Sequence, residues 1–224
     1  MPKTMNVNVK MVCFDMDGTI LNTLDDMTDS CNFILQKYGF PLHTIDEVKY
    51  FVGNGIPKLI ERALPSDVDK ETFDKVLADF IQYYELHSAD KTRPYDGIID
   101  LIQRLKNHGY MIAVNTNKVE SAAIELCKTY FPNLFDIISG SRKGMPPKPA
   151  PDGVYEILER AHVTKEEAVF IGDSDVDLQT GINAGTDVIG VAWGFRGADF
   201  LKSQGATNIA MQPKDVEEIV LRLL

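Results

Sequence analysis

Met11-Val12-Cys13-Phe14-Asp15-Met16-Asp17-Gly18-Thr19 is an apolar run that ends on two carboxylates and a glycine. The four apolar residues predict a buried strand. Asp15 and Asp17 then stand two residues apart at its tip, where both project into one crevice. Such a pair attracts a divalent cation. With the charge partly neutralised, one carboxylate can attack while the other handles a proton. Gly18 lets the backbone turn sharply and approach a ligand closely. This combination suits phosphoryl transfer to an aspartate.

A calcium loop is the competing reading of an Asp-x-Asp-Gly string. That loop needs oxygen ligands at its positions 1, 3 and 5, Gly at 6 and Glu at 12. Counted from Asp15, Ile20 falls where the glycine belongs and Asp26 where the glutamate belongs. A second acidic cluster, Asp173-Ser174-Asp175-Val176-Asp177, has the alternating spacing, but it places Leu178 and Ala184 at those two positions. Neither is a calcium loop. A plain turn after a strand tolerates Asp and Gly as well, so the rest of the chain decides.

Outward from this stretch the chain has two textures. Residues 8–15 and 97–224 alternate short apolar runs with helical stripes. Strands are predicted over 9–14, 110–115, 135–139, 168–171 and 188–192, with a weaker one over 207–211. Between them, apolar residues recur at i, i+3, i+4 and i+7 from Ile98, Val119, Val154 and Val216. Gly109 and Gly185 sit where helices should stop. Strands alternating with helices imply right-handed crossovers and a mainly parallel α/β sheet with helices on both faces, a Rossmann-like core.

Residues 22–93 show only helical stripes, such as Met27, Cys31, Ile34, Leu35 and Tyr38. The expected division is a core of residues 1–21 and 94–224 and an inserted all-α unit of residues 22–93. An insertion just after the first strand stands over the carboxyl edge of the sheet, where open α/β sheets bind ligands.

The 224 residues suffice for one sizeable core plus an insertion. A net charge of −10 disfavours nonspecific binding to nucleic acid or anionic membranes. It also repels a phosphate substrate unless the site supplies local positive charge. Cys13, Cys31 and Cys127 are far apart and match no metal spacing. Residues 1–10 lack the apolar stretch of a signal peptide, and no run nears the ~18 apolar residues of a membrane span. A cytoplasmic location is expected.

Four short segments fall at or beside predicted strand ends: Asp15 with Asp17, Thr116-Asn117, Lys148 in Pro146-Pro147-Lys148-Pro149, and Asp173 with Asp177. Each has a bland reading, since Thr, Asn and Asp cap helices and a lone lysine is usually solvated. Their joint placement is the signal, because parallel topology gathers these ends into one crevice.

Together these segments resemble the four motifs of haloacid dehalogenase-superfamily phosphatases with a helical cap after the first motif, in order and over nearly the whole chain. The motifs are Phe14 to Thr19, Thr116-Asn117-Lys118, Lys148-Pro149-Ala150-Pro151, and Gly172-Asp173-Ser174 with Asp177. Phe51-Val52-Gly53-Asn54-Gly55, followed by Glu61-Arg62-Ala63-Leu64, is similar to the cap of phosphoglycolate phosphatases, as is Trp193-Gly194. Two positions depart from the pattern: Asn22-Thr23 where Asp-Ser is usual, and Tyr95-Asp96-Gly97 where Tyr-Pro-Gly is usual.

The resemblance implies an Mg²⁺-dependent phosphomonoester hydrolase. Asp15 would form an aspartyl phosphate and Asp17 would act as acid and base. Mg²⁺ would be held by Asp15, the Asp17 carbonyl and Asp173. Thr116 and main-chain N–H groups near Gly18 and Asn117 would bind the phosphoryl oxygens, and Lys148 would balance their charge. Asp177 would orient the site without binding the metal directly. Gly53, Asn54, Gly55 and Arg62 of the cap would meet the substrate; Lys58 and His43 are weaker candidates. The expected substrate is a small phosphorylated metabolite, 2-phosphoglycolate first, turned over by a monomer or homodimer. A phosphatase or mutase for a sugar phosphate, pyrophosphate or nucleotide, and a non-hydrolytic phospho-aspartate module, are the alternatives.

Overall fold

A computed structural model describes residues 10–223. Val9 of the expected first strand, and residues 1–9 of the stretch read for a signal peptide, lie outside the described residues. The first strand, β1, runs Met11–Phe14, and β2 is the short Leu21–Asn22. Four helices follow: α1 Leu24–Lys37, α2 Ile45–Phe51, α3 Ile56–Ala63 and α4 Lys70–His87. The chain returns through β3 Arg93–Pro94. It then alternates: α5 Ile98–Asn107, β4 Met111–Val119, α6 Glu120–Tyr130, β5 Ile137–Ser141, α7 Asp152–Ala161, β6 Ala168–Gly172, α8 Asp175–Ala184, β7 Asp187–Val191, α9 Ala198–Ser203, β8 Ile209–Ala210 and α10 Pro213–Arg222.

Six strands form one sheet in the order β5-β4-β1-β6-β7-β8, with every pairing parallel. The strand order reverses beside β1, so the tip carrying Asp15 stands at the switch point between β4 and β6, where such sheets leave a crevice. Alternation along β1 sends its side chains to opposite faces. Val12 and Phe14 join the cluster with Ile102, Leu105 and Val220, under α5 and α10. Met11 and Cys13 join the cluster with Ile157 and Leu158 of α7 on the other face. Both faces are therefore apolar, and an aromatic side chain such as the fully buried Phe14 contributes roughly 1.5–3 kcal/mol.

The six expected strands are all present, shifted by a few residues. The largest change is in β4, which runs four residues past Asn115 to Val119. The segment read as purely helical begins and ends on a ladder that periodicity cannot reveal in two residues: β2 pairs antiparallel with β3, Leu21 opposite Pro94 and Asn22 opposite Arg93. Between them α1 to α4 enclose their own apolar cluster, including Cys31, Leu35, Ile60 and Phe80, which Phe195 of the β7–α9 loop joins. Among the described residues no helix is long and apolar enough to cross a membrane.

Asp26, in the first turn of α1, stitches the base of this helical unit together. Its buried carboxylate accepts the backbone N–H of Lys91 at 2.9 and 3.0 Å and that of Thr92 at 2.8 Å. Removing it strands the buried N–H of Thr92 and the partly buried N–H of Lys91, and a buried donor left unpaired costs about 1–3 kcal/mol. Asp26→Ala is therefore expected to destabilise the protein by roughly 2–4 kcal/mol in urea unfolding. A loss within ~0.5 kcal/mol, the range of ordinary surface substitutions, would show that other contacts hold the base.

Candidate active site

The loops at the carboxyl ends of β1, β4 and β6, with the segment before α7, meet at one point. The N–H of Asp15 donates to the Ile171 carbonyl at 2.8 Å, so the first loop leaves the sheet in register with β6. Lys148 reaches in from the pre-α7 segment. Its Nζ donates to Asp15 Oδ1 and to Asp177 Oδ1, each at 2.6 Å. Asp177 Oδ2 accepts the Ser174 hydroxyl at 2.6 Å and the N–H groups of Asp173 and Ser174 at 3.2 and 3.1 Å. Ser174 and Asp177 form the capping box of α8. Both oxygens of Asp177 are thus engaged: one caps the helix, the other holds the lysine.

Asp173 takes the N–H of Phe195 on Oδ2 at 2.6 Å and the Thr19 hydroxyl on Oδ1 at 3.4 Å. Two glycines allow this crowding. A Cβ on Gly18, whose φ is +90°, would lie 2.5 Å from Asp173 Oδ2, and one on Gly194 would lie 2.4 Å from the Gly18 carbonyl. Trp193 Nε1 donates to the Thr19 carbonyl at 3.0 Å and ties the loop after β7 to the first motif.

Electrostatically the cluster is unbalanced. Asp15, Asp173 and Asp177 offer carboxylate oxygens within 4.8 Å of one another, all buried, and Lys148 is the one ammonium among them. Burial and then the neighbouring Asp177 charge push the Asp15 carboxyl up to about 7, against the pull of Lys148. Burial, Asp177 and Asp15 likewise raise Asp173 well above the carboxylate range. Burial alone would lower Lys148, but the charges of Asp15 and Asp177 outweigh it and hold the ammonium above the usual lysine range. A site of hard oxygen donors with surplus negative charge fits a divalent cation. Asp15 engages only Oδ1, and Asp173 Oδ1 accepts only the long 3.4 Å contact from Thr19, so these two keep more acceptor capacity for one than Asp177.

The crevice beside this cluster is lined by Asp15, Asp17, Thr116, Asn117 and Lys118 from the core, and by residues including Gly53, Gly55 and Tyr84 from the helical unit. Its volume is about 50 Å³. Asn117 holds the two halves together. Its Oδ1 accepts the Lys148 N–H at 2.8 Å, and its Nδ2 donates to the carbonyls of Gly53 and Lys148 at 3.1 and 3.2 Å. Thr116 is buried at the crevice wall, where its hydroxyl accepts the Lys118 N–H at 3.1 Å.

The structure therefore brings Asp15, Asp17, Gly18, Thr116, Asn117, Lys148, Asp173 and Asp177 together. Of the cap residues, Gly53 and Gly55 line the crevice; Asn54 and Arg62 do not. The Arg62 guanidinium is spent on the Phe51 carbonyl at 2.9 Å and Asn54 Oδ1 at 2.9 Å, bracing the loop from outside. Lys58 pairs with Glu61 and His43 Nε2 meets the Ala63 carbonyl, both away from the crevice.

Two residues have no role in the sequence reading. Lys118 is buried with its Nζ on Asp17 Oδ1 and the Tyr84 hydroxyl, each at 3.0 Å. The extension of β4 to Val119 was the available signal, since it places Thr116 and Lys118 on one side of a strand. Arg196, in the loop after β7, donates to the carbonyls of Lys49 at 2.6 Å and Val52 at 2.9 Å. It links the core to the end of α2, and nothing local in sequence marks it.

Comparison with known proteins agrees with this geometry. The family model for haloacid dehalogenase-like hydrolases matches residues 12–191. The phosphoglycolate phosphatase of Thiobacillus denitrificans is 30% identical over 198 residues, covering 86% of this chain and 87% of that protein. That of Mesorhizobium japonicum is 32% identical over 191 residues, covering 83% of each. A crystal structure from Lactobacillus delbrueckii subsp. bulgaricus is 34% identical and superposes with a TM-score of 0.92 over 95% of this chain and 98% of that one. The chain belongs to the haloacid dehalogenase-like hydrolases.

The crowded carboxylates make a stability prediction. Because Asp15 holds its proton to a higher pH folded than unfolded, the metal-free protein is expected to lose stability as pH rises from the ordinary 3.8 through about 7. Asp173→Asn removes part of the repulsion. In metal-free buffer near neutral pH it is expected to raise Tm by about 2–4 °C, while abolishing the rise that a divalent cation gives the unaltered protein. A lower Tm for the variant would show that the surplus charge is not the dominant strain.

Proposed function

We propose that this hydrolase is a phosphatase that cleaves a small phosphomonoester through an aspartyl phosphate on Asp15, with 2-phosphoglycolate as the leading substrate. The observation that carries the reading is the Lys148 bridge, which fixes Asp15 Oδ1 at 2.6 Å beside two further carboxylates while Asp17 lines the crevice with a different partner, Lys118. Two acids two residues apart are thereby given separate environments, as separate roles require.

A carboxylate oxygen of Asp15 attacks phosphorus, and the bond from phosphorus to the ester oxygen breaks. The departing oxygen takes its electron pair and a proton from Asp17. Asp17 then accepts a proton from water as the water oxygen attacks phosphorus, and the bond to Asp15 breaks to restore the carboxylate. Thr116 and the main-chain N–H groups near Gly18 and Asn117 receive the phosphoryl oxygens, and Lys148 offsets their charge. Asp15, Asp173 and the main-chain carbonyl of Asp17 would hold Mg²⁺, which when bound neutralises charge on the phosphoryl group. Asp177 keeps Lys148 in place.

Residues 22–93 act as the cap over this site. Gly53, Gly55 and Tyr84 of this unit line the crevice, so the unit bears on the choice of ester, and a small phosphorylated acid is the leading candidate. The relatives named phosphoglycolate phosphatase support the same choice.

Phosphate release from a panel of phosphorylated metabolites, with and without Mg²⁺, tests the reading. Release from 2-phosphoglycolate is expected to depend on Mg²⁺ and to vanish in Asp15→Asn. Asp17→Asn is expected to lower kcat by roughly 10²–10⁴, the usual worth of a positioned acid–base group. Full activity in Asp15→Asn, or no turnover of any panel member, would overturn the proposal.

A further inference from the structure

Lys118 is the only cationic side chain lining the crevice among the described residues. Its ammonium is anchored from both halves of the molecule: Asp17 Oδ1 at 3.0 Å belongs to the first motif, and the Tyr84 hydroxyl at 3.0 Å belongs to α4 of the helical unit. The ammonium also lies 4.9 Å from the centre of the Tyr84 ring. An ammonium has three N–H donors. Two are used here, and the side chain is only 3% exposed, so bulk water does not satisfy the third. Buried donors without partners are rare. The apolar residues beside it, Met27, Val52, Ile56 and Leu59, supply none.

Position tells what the third donor is for. If Asp17 protonates the ester oxygen, then an ammonium 3.0 Å from Asp17 is the cation nearest the alcohol part of the substrate, while Lys148 is committed to Asp15 and Asp177. A substrate whose alcohol carries a carboxylate one carbon away would place that carboxylate within reach of this ammonium. Charge points the same way. A chain of net charge −10 with surplus carboxylates at the site must supply a local cation for any second anionic group on the substrate. Burial would lower Lys118, but the Asp17 charge and the Tyr84 contact outweigh it and keep the group cationic.

We infer that Lys118, set by Asp17 and Tyr84, is the specificity-determining residue that binds the carboxylate of a short phosphorylated hydroxy acid. The inference rests on the phosphatase reading above and adds the group that selects the substrate. It also gives the helical unit a part in recognition, because Tyr84 places the ammonium only when α4 lies over the core.

The test compares 2-phosphoglycolate with 2-hydroxyethyl phosphate, which replaces the carboxylate by an uncharged alcohol at the same length. The unaltered enzyme is expected to favour 2-phosphoglycolate in kcat/KM by at least ~100-fold, and Lys118→Met to cut that preference about 30-fold, chiefly through KM. Both substrates lose some rate in the variant, because Asp17 loses its partner; the change in their ratio reports the carboxylate contact. Lys118→Gln, which keeps a polar group beside Tyr84, is expected to shift the ratio in the same direction and serves if Lys118→Met does not fold. Equal losses for both substrates would overturn the inference, reducing Lys118 to a partner of Asp17. So would an unaltered enzyme that hydrolyses both esters equally, although the phosphatase reading would survive that result. An unaltered enzyme that hydrolyses neither ester nor any other phosphomonoester brings down the phosphatase reading itself.

Discussion

Three buried carboxylates crowd around one buried ammonium, and the rest of the structure is arranged to make that possible. Lys148 holds Asp15 and Asp177 at the same distance, 2.6 Å. Holding them there needs a parallel sheet whose β1 and β6 tips lie side by side, a capping box that occupies the far oxygen of Asp177, and glycines where any Cβ would strike Asp173. Left alone, the cluster opposes folding, since burial and the Asp177 charge raise the proton affinity of Asp15, and burial with both neighbouring charges raises that of Asp173. The same imbalance suits it to a divalent cation, which is the basis of the proposed phosphoryl chemistry. Stability is given up locally, and the apolar clusters on both sheet faces supply it elsewhere.

The fold was legible because it is built from local periodicity. Stripes from Ile98, Val154 and Val216 and the apolar runs of β1, β6 and β7 each report their own burial, and alternation of the two implies a parallel sheet. The site's main residues were legible for a related reason: Asp15, Thr116, Lys148 and Asp173 stand at predicted strand ends or beside them. What stayed hidden depends on pairs remote in sequence. Two-residue strands such as β2 and β3 have no period to read, and their pairing spans the whole insertion. Lys118 lies within the second motif but has no role on sequence alone, because its burial depends on β4 continuing to Val119 and on α4 packing over it. From sequence, Arg62 is expected to meet the substrate and Arg196 is not singled out; only the structure shows the first bracing the helical unit and the second tying it to the core.

That tie connects the two halves of the chemistry. Phe195 gives its N–H to Asp173 and its ring to the apolar cluster of the helical unit, and Arg196 next to it grips the end of α2. Asn117 joins the Gly53 carbonyl to the segment carrying Lys148. The loop over the crevice is thus fastened to the residues proposed to hold the cation and the phosphoryl group. In the proposed arrangement the core would supply phosphoryl chemistry, and Lys118, set by Asp17 and Tyr84, would tell one small phosphoester from another.

The central claim is that Asp15 carries the phosphoryl group, and chemical trapping tests it most directly. Enzyme mixed with Mg²⁺ and 2-phosphoglycolate would be quenched in acid during turnover, reduced with borohydride and mapped by peptide mass spectrometry. The account predicts that reduction converts Asp15 alone to homoserine, and that the change disappears when substrate is omitted. Phosphate found on another side chain, or steady turnover with Asp15 never modified, would contradict it.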